Sequence, residues 1–303
     1  MKNINYFKSL SDETRLRLMN ILVHFELSVN EIVAIMDMGQ SRISRHLKIM
    51  SDAGIIECRR DGIWAFYSAI SNGDGKLFID GIKFLFTEED ELKTDLFTAK
   101  QIIADRSLIS RKFFNDIAPE WNKLKNQIIG DFDLNSSILS YIDDCEMAVD
   151  LGCGTGEFLT KLKSRSKYTI GVDNSPNMLE EARKLFKNSN DYVNLRLGEL
   201  EHLPLSDSEA DLAVISMVLH HISNPYEVIS EVARILKKGG SFIIADFDKH
   251  KNEEMRKTYG DRWLGFSLEE IEGFLGKNFT LETYKKENVD QSLRLVIYKA
   301  IRN

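Results

Sequence analysis

The sequence predicts an α/β protein in two parts, an N-terminal winged helix-turn-helix followed by a doubly wound, mostly parallel sheet. Three observations carry that expectation. The first 70 residues read as helix, short helix, polar-fronted helix and hairpin. An apolar run, Met147 to Leu151, breaks into three alternate glycines, Gly152, Gly154 and Gly156. From residue 147 onward strand-like and helix-like segments then alternate, which is the pattern of a parallel sheet covered by helices.

At 303 residues the chain is long enough for two domains, and 43% hydrophobic with 29% charged residues can fill a core and solvate a surface. No apolar run approaches the roughly 20 residues of a membrane span. Met1 to Tyr6 lacks the apolar centre and cleavage site of a leader, so a cytoplasmic location and no membrane partner are expected. Cys58, Cys145 and Cys153 are far apart, which suggests neither a disulfide framework nor a thiolate metal site.

The net charge of −7 argues against general coating of nucleic acid, but the charge is uneven. Residues 1–70 hold nine Lys/Arg against eight Asp/Glu, and residues 40–60 hold five basic side chains against two acidic ones. A local basic patch on an acidic protein suits a sequence-reading domain joined to something else. Asp12 opens the first recognisable helix, with Leu16, Met19, Leu22 and Val23 at helical spacing. Ser28-Val29-Asn30-Glu31 is a capping box for the second. The third follows Gly39, with Ile43, Leu47 and Met50 on one face, and Asp61-Gly62 turns a hairpin between Ile55–Arg60 and Ile63–Ser68. Gln40, Ser41, Arg42, Ser44, Arg45 and His46 would then meet DNA from the helix, and Arg59 and Arg60 from the wing.

This segment closely resembles the ArsR/SmtB repressors in Leu10-Ser11-Asp12-Glu13-Thr14-Arg15-Leu16 and in Ser44-Arg45-His46-Leu47 with Gly54. The resemblance implies a dimer on a double-stranded, palindromic operator. Metal sensors of that family carry two cysteines where this chain has Ser28 and Asn30, so their thiolate site is absent and no metal is expected.

Ser71 to Gly75 reads as a linker, and residues 71–125 as a helical connecting region. Leu77, Phe78, Ile79, Ile82, Phe84, Leu85 and Phe86 are too apolar for an exposed helix, so residues 75–100 are expected to form the dimer contact, or else to pack within the chain. The aromatic cluster Phe113, Phe114 and Trp121 could cover the ligand mouth or staple a helix to the core, and core packing is the expected role.

In residues 126–303 the expected strands are 148–151, 169–172, 193–197, 212–216 and 242–245, with an antiparallel pair at 279–285 and 293–300. Helices are expected near 157–165, 176–187 and 225–237. The glycines let the backbone take positive φ and approach a ligand, and a helix start behind them would offer free N–H groups. A nucleotide-like ligand follows, although a dinucleotide fingerprint would want glycine where Glu157 stands. Asp173, ending the second strand, can accept both hydroxyls of a ribose. Gly198-Glu199-Leu200-Glu201 can meet an adenine amino group, and Ser216 to His221 faces the same cleft.

Residues 145–246 also resemble the class I S-adenosylmethionine (SAM)-dependent methyltransferases of the ubiquinone-biosynthesis type, in D-L-G-C-G-T-G at 150–156, G-V-D at 171–173, G-E-L-E-H-L-P-L at 198–205, V-L-H-H at 218–221 and L-K-K-G-G at 236–240. The likeness implies a Rossmann-like methyltransferase domain. In it Asp150, Gly152, Gly154 and Gly156 would hold the amino-acid tail, Asp173 the ribose, and Glu199 with Leu200 the adenine. His220 and His221 are weak candidates for a general base or for cleft lining. The whole architecture resembles the ArsR-type regulators called SahR, whose methyltransferase-like domain senses S-adenosylhomocysteine (SAH). An effector-controlled regulator is therefore expected, with an active small-molecule methyltransferase carrying an autoregulatory DNA-binding domain as the alternative.

Overall fold

The computed structural model describes residues 2–86, 89–187, 193–289 and 293–303. They form two compact units, Met1–Arg106 and Ser107–Asn303. The helices expected in the connecting region thus divide between the two units.

Local capping sets the first unit. Helix α1 (Lys2–Leu10), which the sequence did not announce, precedes α2 (Glu13–Leu22), whose first turn is capped by Asp12 Oδ1 accepting from Arg15 N–H at 3.1 Å. A two-residue strand β1 (Leu27–Ser28) leads into α3 (Val29–Met36) through a reciprocal capping box, in which Ser28 N–H donates to Glu31 Oε2 at 2.8 Å and Glu31 N–H to Ser28 Oγ at 3.4 Å. Ser28, at one of the two vacant thiol positions, is therefore a helix cap. Helix α4 (Gln40–Asp52) turns Ile43, Leu47 and Met50 wholly into the core, as its spacing predicts. Strands β2 (Ile56–Asp61) and β3 (Trp64–Ala69) form the wing and pair antiparallel, and β3 also pairs β1.

Helix α5 (Gly73–Ile82), the turn Lys83–Phe86 and the long α6 (Asp90–Ile117) complete this core with Ile79, Phe86, Leu92 and Ala99. Arg17 fixes α6 on α2, its Nε and Nη2 donating to the buried Asp95 carboxylate at 2.7 and 2.9 Å. The opposite side of these elements stays apolar and exposed at Phe7, Leu77, Phe84, Leu85 and Phe97.

In the second unit α7 (Trp121–Ile129) and α8 (Leu134–Leu139) lead into β4 (Cys145–Leu151). After the glycine loop, α9 is only Leu159–Leu162, shorter than the expected helix over 157–165, because β5 (Ser166–Asp173) begins four residues later. Then come α10 (Pro176–Phe186), β6 (Val193–Leu197), β7 (Ala210–Ser216), α11 (Pro225–Ile235) and β8 (Leu236–Phe247). Helices α12 (Glu254–Tyr259) and α13 (Leu268–Leu275) precede β9 (Phe279–Asn288) and β10 (Arg294–Arg302).

The seven strands run in the order β6-β5-β4-β7-β8-β10-β9, parallel from β6 to β8. Strand β10 lies antiparallel between β8 and β9, so the expected terminal pair is present. Connections leave β4 first toward β5 and β6, then toward β7 and β8. The switch point, where ligands of such sheets collect, is therefore at the C-terminal ends of β4 and β7.

Candidate functional site

The loop after β4 is built by its glycines. Gly152, Gly154 and Gly156 take φ of 73°, 52° and 79°, in the left-handed region that side chains with a Cβ resist. Gly152 is needed twice over: a Cβ there would lie 2.5 Å from Val218 Cγ2, so the loops after β4 and β7 could not close on each other. The N–H groups of Gly152 and Cys153 both donate to Val172 O, at 2.8 and 3.0 Å, which ties the loop to β5.

Asp173 terminates β5 as expected. Its Oδ2 accepts from Gly154 N–H and its Oδ1 from Ser175 N–H, each at 2.8 Å. Asn174 N–H donates to the same carboxylate, so three of its about four lone-pair sites are taken. Burial pushes Asp173 up to about 6 against the pull of these backbone donors, and burial together with the charge of Asp173 pushes the enclosed Asp150 up to about 7. Glu199 stands at the mouth, accepting from Asn174 Nδ2 at 2.8 Å and pairing with Arg111 at 3.6 Å, while Leu200 is buried beside it. The cofactor-binding residues expected from the sequence thus gather around the ends of β4, β5 and β6.

The aromatic cluster before β4 lies beside the glycine loop. Phe113, Phe114 and Trp121 are half-buried. Phe114 makes edge contacts with Trp121 and with His221, at ring centroids of 5.5 and 4.8 Å. A Cβ on Gly154 would come within 3.7 Å of Trp121 Nε1. The same segment ties down the loop through polar side chains: Thr155 Oγ1 donates to Asn122 Oδ1 at 2.8 Å, Lys125 pairs with Glu157, and Ser175 Oγ donates to Asn115 Oδ1 at 2.7 Å. Residues 113–125 therefore roof the glycine loop, a role that the polar residues between the aromatics could have suggested.

The second face of the cleft follows β7. Met217, buried at φ 57°, turns the chain out of the strand into a short turn holding His220 and His221. His220 is 2% exposed; its Nδ1 lies 2.7 Å from Asp246 Oδ1, and its Nε2 lies 3.7 Å from Asp261 Oδ1. Burial opposes charge on His220, but Asp246 and Asp261 outweigh it and raise the imidazole to about 9. Burial, reinforced by His220, drives His221 well below the ordinary range, and burial raises Asp261 to about 6. Neither Asp246 nor Asp261 was singled out from the sequence.

In the first unit Gln40, Ser41, Arg42, Ser44 and Arg45 are exposed on α4, and Arg60 is exposed on the wing. Two expected DNA contacts are otherwise engaged. His46 is largely covered and sits 3.6 Å from Asp12. Arg59 donates from Nε and Nη2 to Glu26 at 2.9 and 3.1 Å and stacks over Phe66, so its guanidinium clamps the base of the wing. No helix among the described residues is long and apolar enough to cross a membrane.

Comparison with known proteins agrees with both halves. Residues 12–57 match the family model described as bacterial regulatory protein, arsR family, and residues 149–244 match that of a methyltransferase domain. The chain is 38% identical over 106 residues to an uncharacterized 37.1 kDa protein in a transposon of Streptomyces fradiae, covering 34% of this chain and 30% of that relative. It is 25% identical over 193 residues to the ubiquinone/menaquinone biosynthesis C-methyltransferase UbiE of Campylobacter jejuni, covering 59% of this chain and 80% of that enzyme. Among solved structures, YcgJ of Bacillus subtilis superposes with a TM-score of 0.50 at 17% identity, over 56% of this chain and 97% of its own. A chain of the Haloferax volcanii Trm112 methyltransferase activator complex does so with a TM-score of 0.52 at 18% identity, over 61% and 96%. Residues 12–57 thus belong to an arsR-family helix-turn-helix and residues 149–244 to a Rossmann-like methyltransferase domain.

Proposed function

We propose that this chain is a dimeric, DNA-binding transcriptional regulator of the ArsR type whose methyltransferase-like domain takes SAH, and SAM, as its effector. The observation that carries the reading is the joining of two finished surfaces in one chain. One is α4, with a polar front of Gln40, Ser41, Arg42, Ser44 and Arg45 outside a fully buried apolar face. The other is the glycine loop, with the buried Asp173 carboxylate fixed beside it by Gly154 and Ser175 N–H where a ribose diol would sit. Both residues and spacing fit an adenosyl amino acid: Asp150 and the loop for its tail, Asp173 for its ribose, Glu199 and Leu200 for its base. The exposed apolar side of α1, α5 and α6 supports a second copy as its cover, and two-fold symmetry then calls for a palindromic operator with half-sites about 10 bp or a multiple apart. An effector switches such a protein only if it binds the DNA-competent and incompetent states with different affinity. The test is binding of the purified chain to its own promoter with and without SAH or SAM; DNA affinity indifferent to both ligands refutes the effector role.

A second reading, a small-molecule methyltransferase that regulates its own operon, is favoured by one specific feature. The buried His220–Asp246 pair and Asp261 form an elaborate polar face beside the loop that holding SAH does not need. Methyl transfer from a sulfonium depends chiefly on alignment, and His220, once it has lost the second proton that its carboxylate partners hold on it up to about pH 9, could take a proton from an acceptor. Labelled SAM and a cell extract distinguish the readings, because only the second yields a methylated product.

A further inference from the structure

Two adjacent histidines and one distant aspartate meet under the cleft in a way that hydrogen bonding leaves unfinished. His220, His221 and Asp261 each offer one ligand atom, and these atoms lie within 4.8 Å of one another. Asp261 is 5% exposed, and neither of its carboxylate oxygens accepts a hydrogen bond. A buried carboxylate left in that condition calls for a partner. The two imidazoles face it, His220 Nε2 at 3.7 Å and His221 Nδ1 at 4.0 Å from Oδ1. Behind them, Asp246 Oδ1 holds His220 Nδ1 at 2.7 Å, which fixes the ring and leaves Nε2 as the free donor atom. That is the carboxylate–histidine support that metal-ligating imidazoles normally have.

We infer that His220 Nε2, His221 Nδ1 and Asp261 form a binding site for a divalent metal of the zinc class. Two nitrogens and one oxygen are borderline donors that suit zinc, cobalt or iron rather than calcium. Metal–ligand bonds of about 2.0–2.2 Å in a tetrahedron put ligand atoms about 3.4 Å apart. The Asp261 pairs exceed that by a few tenths of an ångström and the two histidine atoms lie within 4.8 Å, so the three side chains must draw together on binding. Binding requires His220 Nε2 to release the proton that Asp246 and Asp261 favour, and His221 Nδ1 to be unprotonated, giving up its long, 3.4 Å contact with Gly260 O. Three protein ligands with a vacant fourth place is the arrangement of metal sites that take a substrate or ligand oxygen. The edge of Phe114, from the roof of the glycine loop, covers His221. The inference stands on these side chains alone and holds whether the domain senses or transfers a methyl group.

The test uses the full-length protein, stripped by chelator and titrated with zinc or with cobalt alone. One metal per chain is expected, with cobalt showing the visible absorption of a low-coordinate site. Asp261→Asn and His221→Ala should each abolish stoichiometric binding, and Asp246→Asn should weaken it by about 10–100-fold. His24→Gln, in the first unit, should change nothing. SAH affinity and circular dichroism establish that each variant is folded; if Asp261→Asn fails to fold, His221→Ala decides alone. Wild-type protein that takes up no metal at stoichiometric concentration, or a folded His221→Ala protein that binds it undiminished, overturns the assignment.

Discussion

Replacing Gly152 by alanine tests the packing of the cleft directly. The residue sits at φ 73°, where a Cβ would lie 2.5 and 2.9 Å from the two methyl carbons of Val218. Two costs arise and they are separable. Left-handed backbone costs a residue with a side chain about 1–2 kcal/mol. Displacing Val218 adds about 1–3 kcal/mol, as overpacking of a filled interior does. Gly152→Ala should therefore destabilise the second unit by about 2–5 kcal/mol. Val218→Ala removes both offending carbons and leaves only its Cβ, at 3.2 Å from the new one. The double variant should recover the steric share and keep the backbone share, giving a coupling of about 1–3 kcal/mol. Urea unfolding of all four proteins measures it. A Trp64→Phe background confines the fluorescence to Trp121 and Trp263, both in the second unit. Strictly additive effects would show that the loops after β4 and β7 do not close on each other as described.

Asp173→Asn should weaken SAH binding by roughly 10–100-fold, the loss of about 1.5–3 kcal/mol for hydrogen bonds to a charged acceptor, while leaving ligand-free DNA affinity intact; calorimetry and a DNA-shift assay report the two separately. Arg45→Ala should do the reverse, and should lower the slope of log affinity against log salt by about 1 if Arg45 meets a phosphate. Asp150 bears on pH: its folded pKa of about 7 exceeds the ordinary 3.8, so the folded chain holds that proton more tightly and stability falls as pH climbs through that window. Asp150→Asn should match the wild type near pH 4 and gain on it by up to about 4 kcal/mol by pH 8, seen in unfolding curves across pH; an advantage independent of pH contradicts the burial argument. Phe97→Glu, on the exposed apolar side of α6, should shift the sedimentation of the protein to that of a monomer and weaken operator binding.

Much of this was legible in the sequence because its causes are local. A capping box needs only Ser28 and Glu31, an apolar stripe only Ile43, Leu47 and Met50, and a ligand loop only glycines at alternate positions after a strand. The order β4 to β8 follows from alternation. What the sequence withheld depends on contacts far along the chain. Asp246, 26 residues beyond His220, looks like one more acidic residue until β7 and β8 lie side by side. Arg59 was expected to meet DNA from the wing, and only the fold shows that it also pairs with Glu26. Helix α1 carries no capping signal, and α9 was cut short by the early start of β5, which no periodicity announces.

The enclosure of Asp173 has a thermochemical consequence. With its carboxyl pushed up to about 6, a fraction of the molecules carry a proton there at mildly acid pH. A ligand that donates hydroxyls to this group favours the ionised form, so its arrival expels that proton into the solvent. The heat of SAH binding near pH 6 should then differ between buffers of unlike ionisation enthalpy, and the difference should fade by pH 8, where the carboxylate is already bare. Recognition of an uncharged sugar would in this way be written into the proton balance of the surrounding solution.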